Sequence, residues 1–207
     1  MTEEPLSFDL LHPQPLLIVI SGTAGVGKDS VIQELKRRDL PLHFVITATS
    51  RPPREGEVDG RDYFFFSPEE FQRRIDNHEF IEHANVYDEF KGIPRWQIEE
   101  ALSSGKDVVV KVDVQGAATL RRLYPQALLI FVVPRSTDEW CARLINRKTE
   151  TPKKLKLRIA TAKEEVAQID MFDYIVVNAD SMLEIAVDDI AAIIRSEHLA
   201  VRHRKII

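Results

Sequence analysis

Four apolar runs of strand length, at residues 16–20, 108–112, 128–133 and 174–177, set the rhythm of the chain, and 44–47 is expected to add another. They are rich in Val and Ile and largely lack polar alternation, which predicts strands buried on both faces of a parallel sheet. The stretches between them carry helix signals. Residues 29–38 place Val31, Ile32 and Leu35 at helical spacing, and Ser136 and Glu139 have capping-box spacing. Gly105 follows 98–104 as a stop, and 182–198 is amphipathic. Strand and helix in alternation predict an α/β fold of three layers, with a mostly parallel central sheet covered on both faces.

Two stretches break the alternation. The first, 51–92, holds Pro52, Pro53, Gly56 and Gly60, then the aromatic strand 63–66. Ser67, Pro68 and Glu70 follow as a helix start with a Ser cap, Pro at the first position and Glu at the third. This predicts a small inserted α+β lobe. The second, 143–158, gathers Arg143, Arg147, Lys148, Lys153, Lys154, Lys156 and Arg158 around Thr149 to Pro152, which predicts a short mobile basic lid.

Composition narrows the classes. The 207 residues, 44% hydrophobic, suffice for one domain with a full core. A net charge of −5 with mixed signs gives no general pull toward nucleic acid or anionic lipid, so any phosphate affinity must be local. The one cysteine, Cys141, falls in a helical pattern and suits a packed thiol in a reducing cytoplasm. Glu3 and Glu4 interrupt any signal-peptide pattern, and no apolar run has membrane length, so a soluble, cytoplasmic protein is expected. The histidines show no zinc spacing.

Residues 22–29 read Gly-Thr-Ala-Gly-Val-Gly-Lys-Asp, directly after the first apolar run and before a helical pattern. A phosphate-binding loop needs that context and the pattern Gly-x-x-x-x-Gly-Lys-Ser/Thr. Its glycines let backbone N–H groups wrap a phosphate, its Lys bridges the outer phosphates, and its hydroxyl holds Mg2+. Gly22, Gly27 and Lys28 match. The loop predicts binding of a nucleoside triphosphate by Gly22, Thr23, Ala24, Gly25, Val26, Gly27, Lys28, Asp29 and Ser30. Asp29 occupies the hydroxyl's place, and carboxylate oxygen is a good Mg2+ ligand. The other reading of Asp29 is a helix-start residue acting on the dipole, with Ser30 supplying the hydroxyl.

From Thr49 to Tyr63 the chain follows Thr-Thr-Arg-x-Pro-Arg-x-Gly-Glu-x-x-Gly-x-x-Tyr, with Ser50 at the second Thr. Further matches come in order: Glu-Phe-Ile-Glu-His-Ala at 79–84, Val-Asp-Val-Gln-Gly-Ala at 112–117, the segment 143–150, and Val-Val-Asn at 176–178. With the loop upstream, the chain resembles the guanylate kinase family of phosphate-loop nucleoside monophosphate kinases over about residues 16–198. The resemblance implies transfer of the γ-phosphoryl group of MgATP to GMP by a monomer or homodimer, with no nucleic-acid or membrane partner.

The resemblance assigns Arg51, Arg54 and Tyr63 to the GMP phosphate. Two guanidinium forks and a phenol suit a phosphate dianion on chemistry alone. It assigns Glu82 and Thr47 to guanine; a carboxylate can accept from guanine's N1–H and N2–H2 edge, where adenine offers no donor. Lys91, Gly92 and Asp113 complete the GMP set. The resemblance also implies that Lys28, Arg51, Arg143, Arg147 and Arg158 are the catalytic cations, which suits phosphoryl transfer because it rests on alignment and charge neutralisation. Asn178 is either an adenine neighbour or a strand-end turn residue.

Besides Asp29, three positions depart from the family's usual residues. Lys91 stands for a phosphate-binding Tyr and can keep a donor there, while Ile93 stands for a Ser or Thr and leaves base discrimination to Glu82 and Thr47. Lys111 stands for an acid, and two-residue alternation puts it on one strand face with Asp113, where the two can pair. The expected organisation is one domain, 1–207. It comprises an irregular lead-in to residue 15, a core of 16–50, 94–142 and 159–198, a GMP-binding lobe at 51–93, a lid at 143–158 and a basic tail at 199–207. The alternatives are a kinase for another nucleoside or deoxynucleoside monophosphate or a phosphorylated sugar, and a non-enzymatic binding module of the same family.

Overall fold

The computed structural model describes residues 14–86, 89–145 and 152–200. Arg147 and the middle of the expected lid, the lead-in before residue 14 and the tail from 201 lie outside them. The elements in chain order are β1 (Leu17–Ser21), α1 (Lys28–Arg37), β2 (Leu42–Phe44), β3 (Ala48–Thr49), β4 (Phe64–Phe65), α2 (Pro68–Asp76), β5 (Phe80–Val86), β6 (Glu89–Pro94), α3 (Arg95–Ser103), β7 (Asp107–Lys111), α4 (Val114–Leu123), β8 (Leu128–Val133), α5 (Thr137–Ile145), α6 (Pro152–Val166), β9 (Tyr174–Val177) and α7 (Leu183–His198).

The central sheet has the order β2-β7-β1-β8-β9 and is parallel throughout. Every residue of β1 is buried, as an unbroken apolar run in the middle of a doubly covered sheet requires. Ile18 and Ile20 pack with Val31 and Leu35 of α1 and with Val187 and Ile190 of α7. Leu17 and Val19 point the other way, into a cluster with Ile98 of α3 and Ala117 and Leu120 of α4. Each large side chain so buried contributes about 1.5–3 kcal/mol. From β1 the chain turns through α1 toward β7 and β2, whereas β8 and β9 lie on the other side. The carboxyl end of β1 is therefore a topological switch point, where ligands of such sheets bind.

The inserted lobe is a second, mixed sheet of order β4-β3-β6-β5. Phe71 of α2 fills its core, stacked 4.4 Å from the Phe80 ring and 5.4 Å from Phe90. Ser67 caps α2 by accepting from Glu70 N at 3.1 Å. This sheet takes in Ala48–Thr49 and ends at Pro94, slightly beyond the 51–93 read from the sequence. The run 44–47 lends only Phe44 to a strand; beyond it the Ile46 N–H is taken by the Gln97 carboxamide oxygen at 2.9 Å in place of a ladder partner. The basic stretch 143–158 is helical at both ends, with Arg143 on α5 and Arg158 on α6. Among the described residues no helix is long and apolar enough to cross a membrane.

Candidate active site

A cleft of about 250 Å³ opens at the carboxyl ends of β1 and β7 and faces the second sheet. Lys28, Arg51, Arg54, Lys91, Lys111 and Arg158 line it against Asp29, Glu89, Asp113 and Glu165. A protein of net negative charge thus concentrates cations in its cleft, which steers anions there.

The loop between β1 and α1 forms the donor side. Gly22 has φ +146° and Gly27 +89°. A Cβ at Gly22 would overlap the Val132 carbonyl oxygen, and one at Gly27 would overlap the Asn178 amide nitrogen, so no other residue fits either position. Side chains hold the loop's carbonyls from behind. Trp140 Nε1 donates to Ala24 O at 2.8 Å, and buried Asn178 donates Nδ2 to Val26 O at 2.8 Å. Arg143 donates to Val26 O at 3.3 Å and Asn178 O at 2.8 Å, and it pairs with Glu139 and Asp180. Arg143 and Asn178 therefore brace the loop and do not line the cleft.

Lys28 lies along the loop and donates to Thr23 O at 3.1 Å and to Gly22 O. Burial pushes its pKa down to about 8, against the pull of the Glu165 carboxylate. Glu165 in turn is pushed up to about 7 by burial, which outweighs the attraction of Lys28. Sequence reasoning missed Glu165. The available signal was its position seven residues after Arg158 on one helix, which puts both on the same face.

On the acceptor side, the Arg51 guanidinium grips Glu57 with both arms, at 2.6 and 2.7 Å, and lies 5.0 Å over the Tyr63 ring. The hydrogen bond from Arg51 holds the Glu57 carboxyl below its ordinary range. Glu57 was another missed residue, although it is the Glu of the matched pattern. Thr47, Lys91, Gly92 and Asp113 all line the cleft. Gly92 is required by packing, since a Cβ there would sit 2.9 Å from Phe80 and 3.0 Å from the Glu82 carbonyl oxygen. Glu82 is paired in register with Ile93 on β6 and sits next to the cleft lining, close enough to Asp113 and Lys91 for their charges to act on it. Burial, with the charge of Asp113 next, pushes its carboxyl up to about 7, while Lys91 acts in the opposite direction.

The expected pairing of Lys111 with Asp113 does not occur. β7 ends at Lys111, so the alternation that would bring the two to one face stops short of Asp113. Asp113 instead caps α4, accepting from Gly116 N at 3.0 Å. Lys111 pairs with Asp29 and donates to the Tyr63 hydroxyl at 2.7 Å.

The guanylate kinase family model matches residues 14–197, nearly the full described span. The chain belongs to the guanylate kinase family. A rice protein named guanylate kinase 2, chloroplastic/mitochondrial, is 50% identical over 195 residues, 94% of this chain and 68% of the relative. A guanylate kinase of Halalkalibacterium halodurans is 41% identical over 88% of this chain and 89% of its own. The crystal structure of guanylate kinase from Anaplasma phagocytophilum matches with a TM-score of 0.74 at 28% identity, covering 91% of this chain and 88% of that one. Asp29 and Lys111, which stand 82 positions apart in sequence, form one ion pair in space.

Proposed function

We propose that this cleft transfers the γ-phosphoryl group of ATP to GMP, giving ADP and GDP. The observation that carries the reading is a single cleft joining the glycine loop and Lys28 to Arg51, Arg54 and Tyr63. Lys28 and the loop N–H groups receive the donor phosphates. Arg51, Arg54, Lys91 and Tyr63 receive the acceptor phosphate, whose oxygen attacks already ionised, so no general base is needed. Arg158 and Arg147 neutralise charge as it spreads in transfer, and Arg143 and Asn178 act on ATP through the shape of the loop. Glu82 and Thr47 read guanine.

The divalent ion is Mg2+. Among the described residues no three His, Cys, Asp or Glu side chains are placed together to hold a metal ion. One exposed carboxylate directly after Lys28 does suit a cation carried in by phosphate oxygens and water, so Asp29 would hold it. When bound, the ion neutralises the donor phosphates. The substrates are small molecules, the organisation is the single domain with lobe and lid outlined from the sequence, and the protein acts as a monomer or homodimer. Free Cys141 supports a reducing compartment, for which cytoplasm is the reading.

A coupled ADP-release assay with GMP, dGMP, AMP and dTMP as acceptors tests the proposal. Turnover with GMP should exceed that with AMP by two orders of magnitude or more, roughly as expected when a hydrogen-bonding site meets a ligand lacking the donors. Equal rates with GMP, AMP and dTMP would remove the guanine assignment.

A further inference from the structure

Lys111 ends β7 with two contacts on one ammonium group: a salt bridge to Asp29, in the first turn of α1, and the 2.7 Å hydrogen bond to the Tyr63 hydroxyl. The ammonium also sits 4.5 Å from the Tyr63 ring centroid. The side chain is only 18% exposed. Burial works against its charge, but Asp29 and Tyr63 outweigh that and hold its pKa above the ordinary lysine value. Asp29, Lys111 and Tyr63 also stand in the wall between the first cleft and a second one of about 320 Å³ beside α1. The three thus tie the helix that begins with Lys28 to the lobe that carries Arg51.

The chemistry of the contact has one possible direction. An ammonium has only donors, whereas a phenol has a single hydrogen and can accept on oxygen. Lys111 must therefore donate and Tyr63 Oη must accept, which leaves the phenolic hydrogen for another partner. The cleft is where Tyr63 can find one. Donation to the phenol oxygen also polarises its O–H and strengthens it as a donor. A carboxylate at position 111 would do the reverse, taking the phenolic hydrogen for itself.

We propose that Lys111 is a positioning residue for the acceptor phosphate: anchored by Asp29, it fixes the Tyr63 hydroxyl so that its hydrogen is presented to the phosphate of GMP. The inference rests on the reading of Tyr63 as a phosphate contact. On this view Asp29 acts toward the acceptor as well as the donor, through Lys111.

The test is calorimetric titration of GMP into the protein without ATP or Mg2+, for the parent and for Tyr63→Phe, Lys111→Met, Lys111→Gln, Lys111→Arg and the Tyr63→Phe/Lys111→Met double variant. Tyr63→Phe and Lys111→Met should each weaken GMP by about tenfold or more, the loss of one hydrogen bond to a charged group. The double variant should be no weaker than the worse single one within about threefold, because the two act as a unit. Lys111→Arg should retain most of the affinity, and Lys111→Gln serves if Lys111→Met fails to fold. In turnover, Lys111→Met should raise the KM for GMP more than it lowers kcat. Parent-like affinity in both Lys111→Met and Lys111→Gln with a weakened Tyr63→Phe, or losses that multiply in the double variant, would overturn the proposal alone. Parent-like affinity in Tyr63→Phe would overturn the reading of Tyr63 beneath it, and the proposal with it.

Discussion

Glu82→Gln should trade binding for stability, and the exchange should depend on pH. Burial, then the charge of Asp113, raise the Glu82 carboxyl from 4.5 to about 7 in the folded chain. In the unfolded chain it ionises near its ordinary value. As pH rises from about 4.5 to 7, the unfolded state therefore releases this proton while the folded state keeps it, and folding stability falls. The stabilising contribution is complete below about pH 4.5 and is lost as pH passes through the folded value. A shift of this size is worth about 3 kcal/mol in full. Gln cannot titrate, so the stability of Glu82→Gln relative to the parent should grow by about 2.5 kcal/mol between pH 5 and pH 8, most of it below pH 7. Taking the difference between two chains cancels every titrating group they share. Urea denaturation at half-unit pH intervals measures it directly, and the melting temperature should follow by roughly 5–10 °C. In the same variant GMP affinity should fall by about a hundredfold at pH 8, since an amide loses the charge, keeps one acceptor and sets an N–H against one of guanine's two donors. In the parent, GMP affinity should rise with pH through about 7, as the ionised form becomes the populated one. A parallel pH dependence of stability in variant and parent would refute the argument that Glu82 is held uncharged by its surroundings.

Three further outcomes separate bracing from binding. Gly116→Ala in α4 would ordinarily gain about 1 kcal/mol of helix propensity, but the new Cβ would lie 2.9 Å from Val112 Cβ and 3.3 Å from Glu82 Oε2. Net destabilisation of about 1–2 kcal/mol by denaturation, with a raised KM for GMP and an unchanged KM for ATP, is the expected result. Asn178→Ala removes the buried donor to Val26 O, so a loss of about 1–3 kcal/mol should accompany a raised KM for ATP and little change for GMP. Asp107 accepts from Leu16 N at 2.8 Å and meets His198 Nε2 at 2.8 Å, at the end of β7 remote from the cleft. Asp107→Ala should cost a comparable 1–3 kcal/mol in denaturation while both KM values stay at parent levels.

The central sheet was legible because its strands are unbroken apolar runs, a signal carried by neighbouring residues alone. The phosphate loop was legible for the same reason, since Gly22 to Gly27 act through their own backbone and Lys28 follows them directly. What escaped was pairing at a distance. β3 is two residues long and owes its existence to Lys91 and Gly92 on one side and Phe64 and Phe65 on the other, so nothing local marks its start. Glu165 meets the site only because α6, distant in sequence from the loop, lines the same cleft. The partner of Lys111 was misread for a related reason: alternation predicts a face only while a strand lasts, and this one ends at Lys111 itself. Arg143 has the opposite history. Its charge was evident in the sequence, but four acceptors behind the loop decide where that charge goes.

The free cleft also bears on how tightly its ligands can bind. Its principal cations already have anions beside them: Arg51 grips Glu57, Lys111 holds Asp29, and Lys28 faces Glu165. A nucleotide phosphate entering here does not meet bare positive charge; it competes with carboxylates for the same donors. A carboxylate carries one negative charge and a phosphate monoester up to two, so the advantage of the ligand lies mainly in the second charge. At about 4 Å and an effective dielectric near 20 that extra charge interacts with a cation by about 4 kcal/mol before desolvation, enough to displace a carboxylate but well short of what a count of cations would suggest. Desolvation then subtracts from it. Resident carboxylates keep the cations positioned and charge-compensated in the free protein, lower the reorganisation needed when phosphate arrives, and resume their places when product leaves. An enzyme that must release a diphosphate on every turnover gains from that exchange, because binding strong enough to fill every donor permanently would slow release.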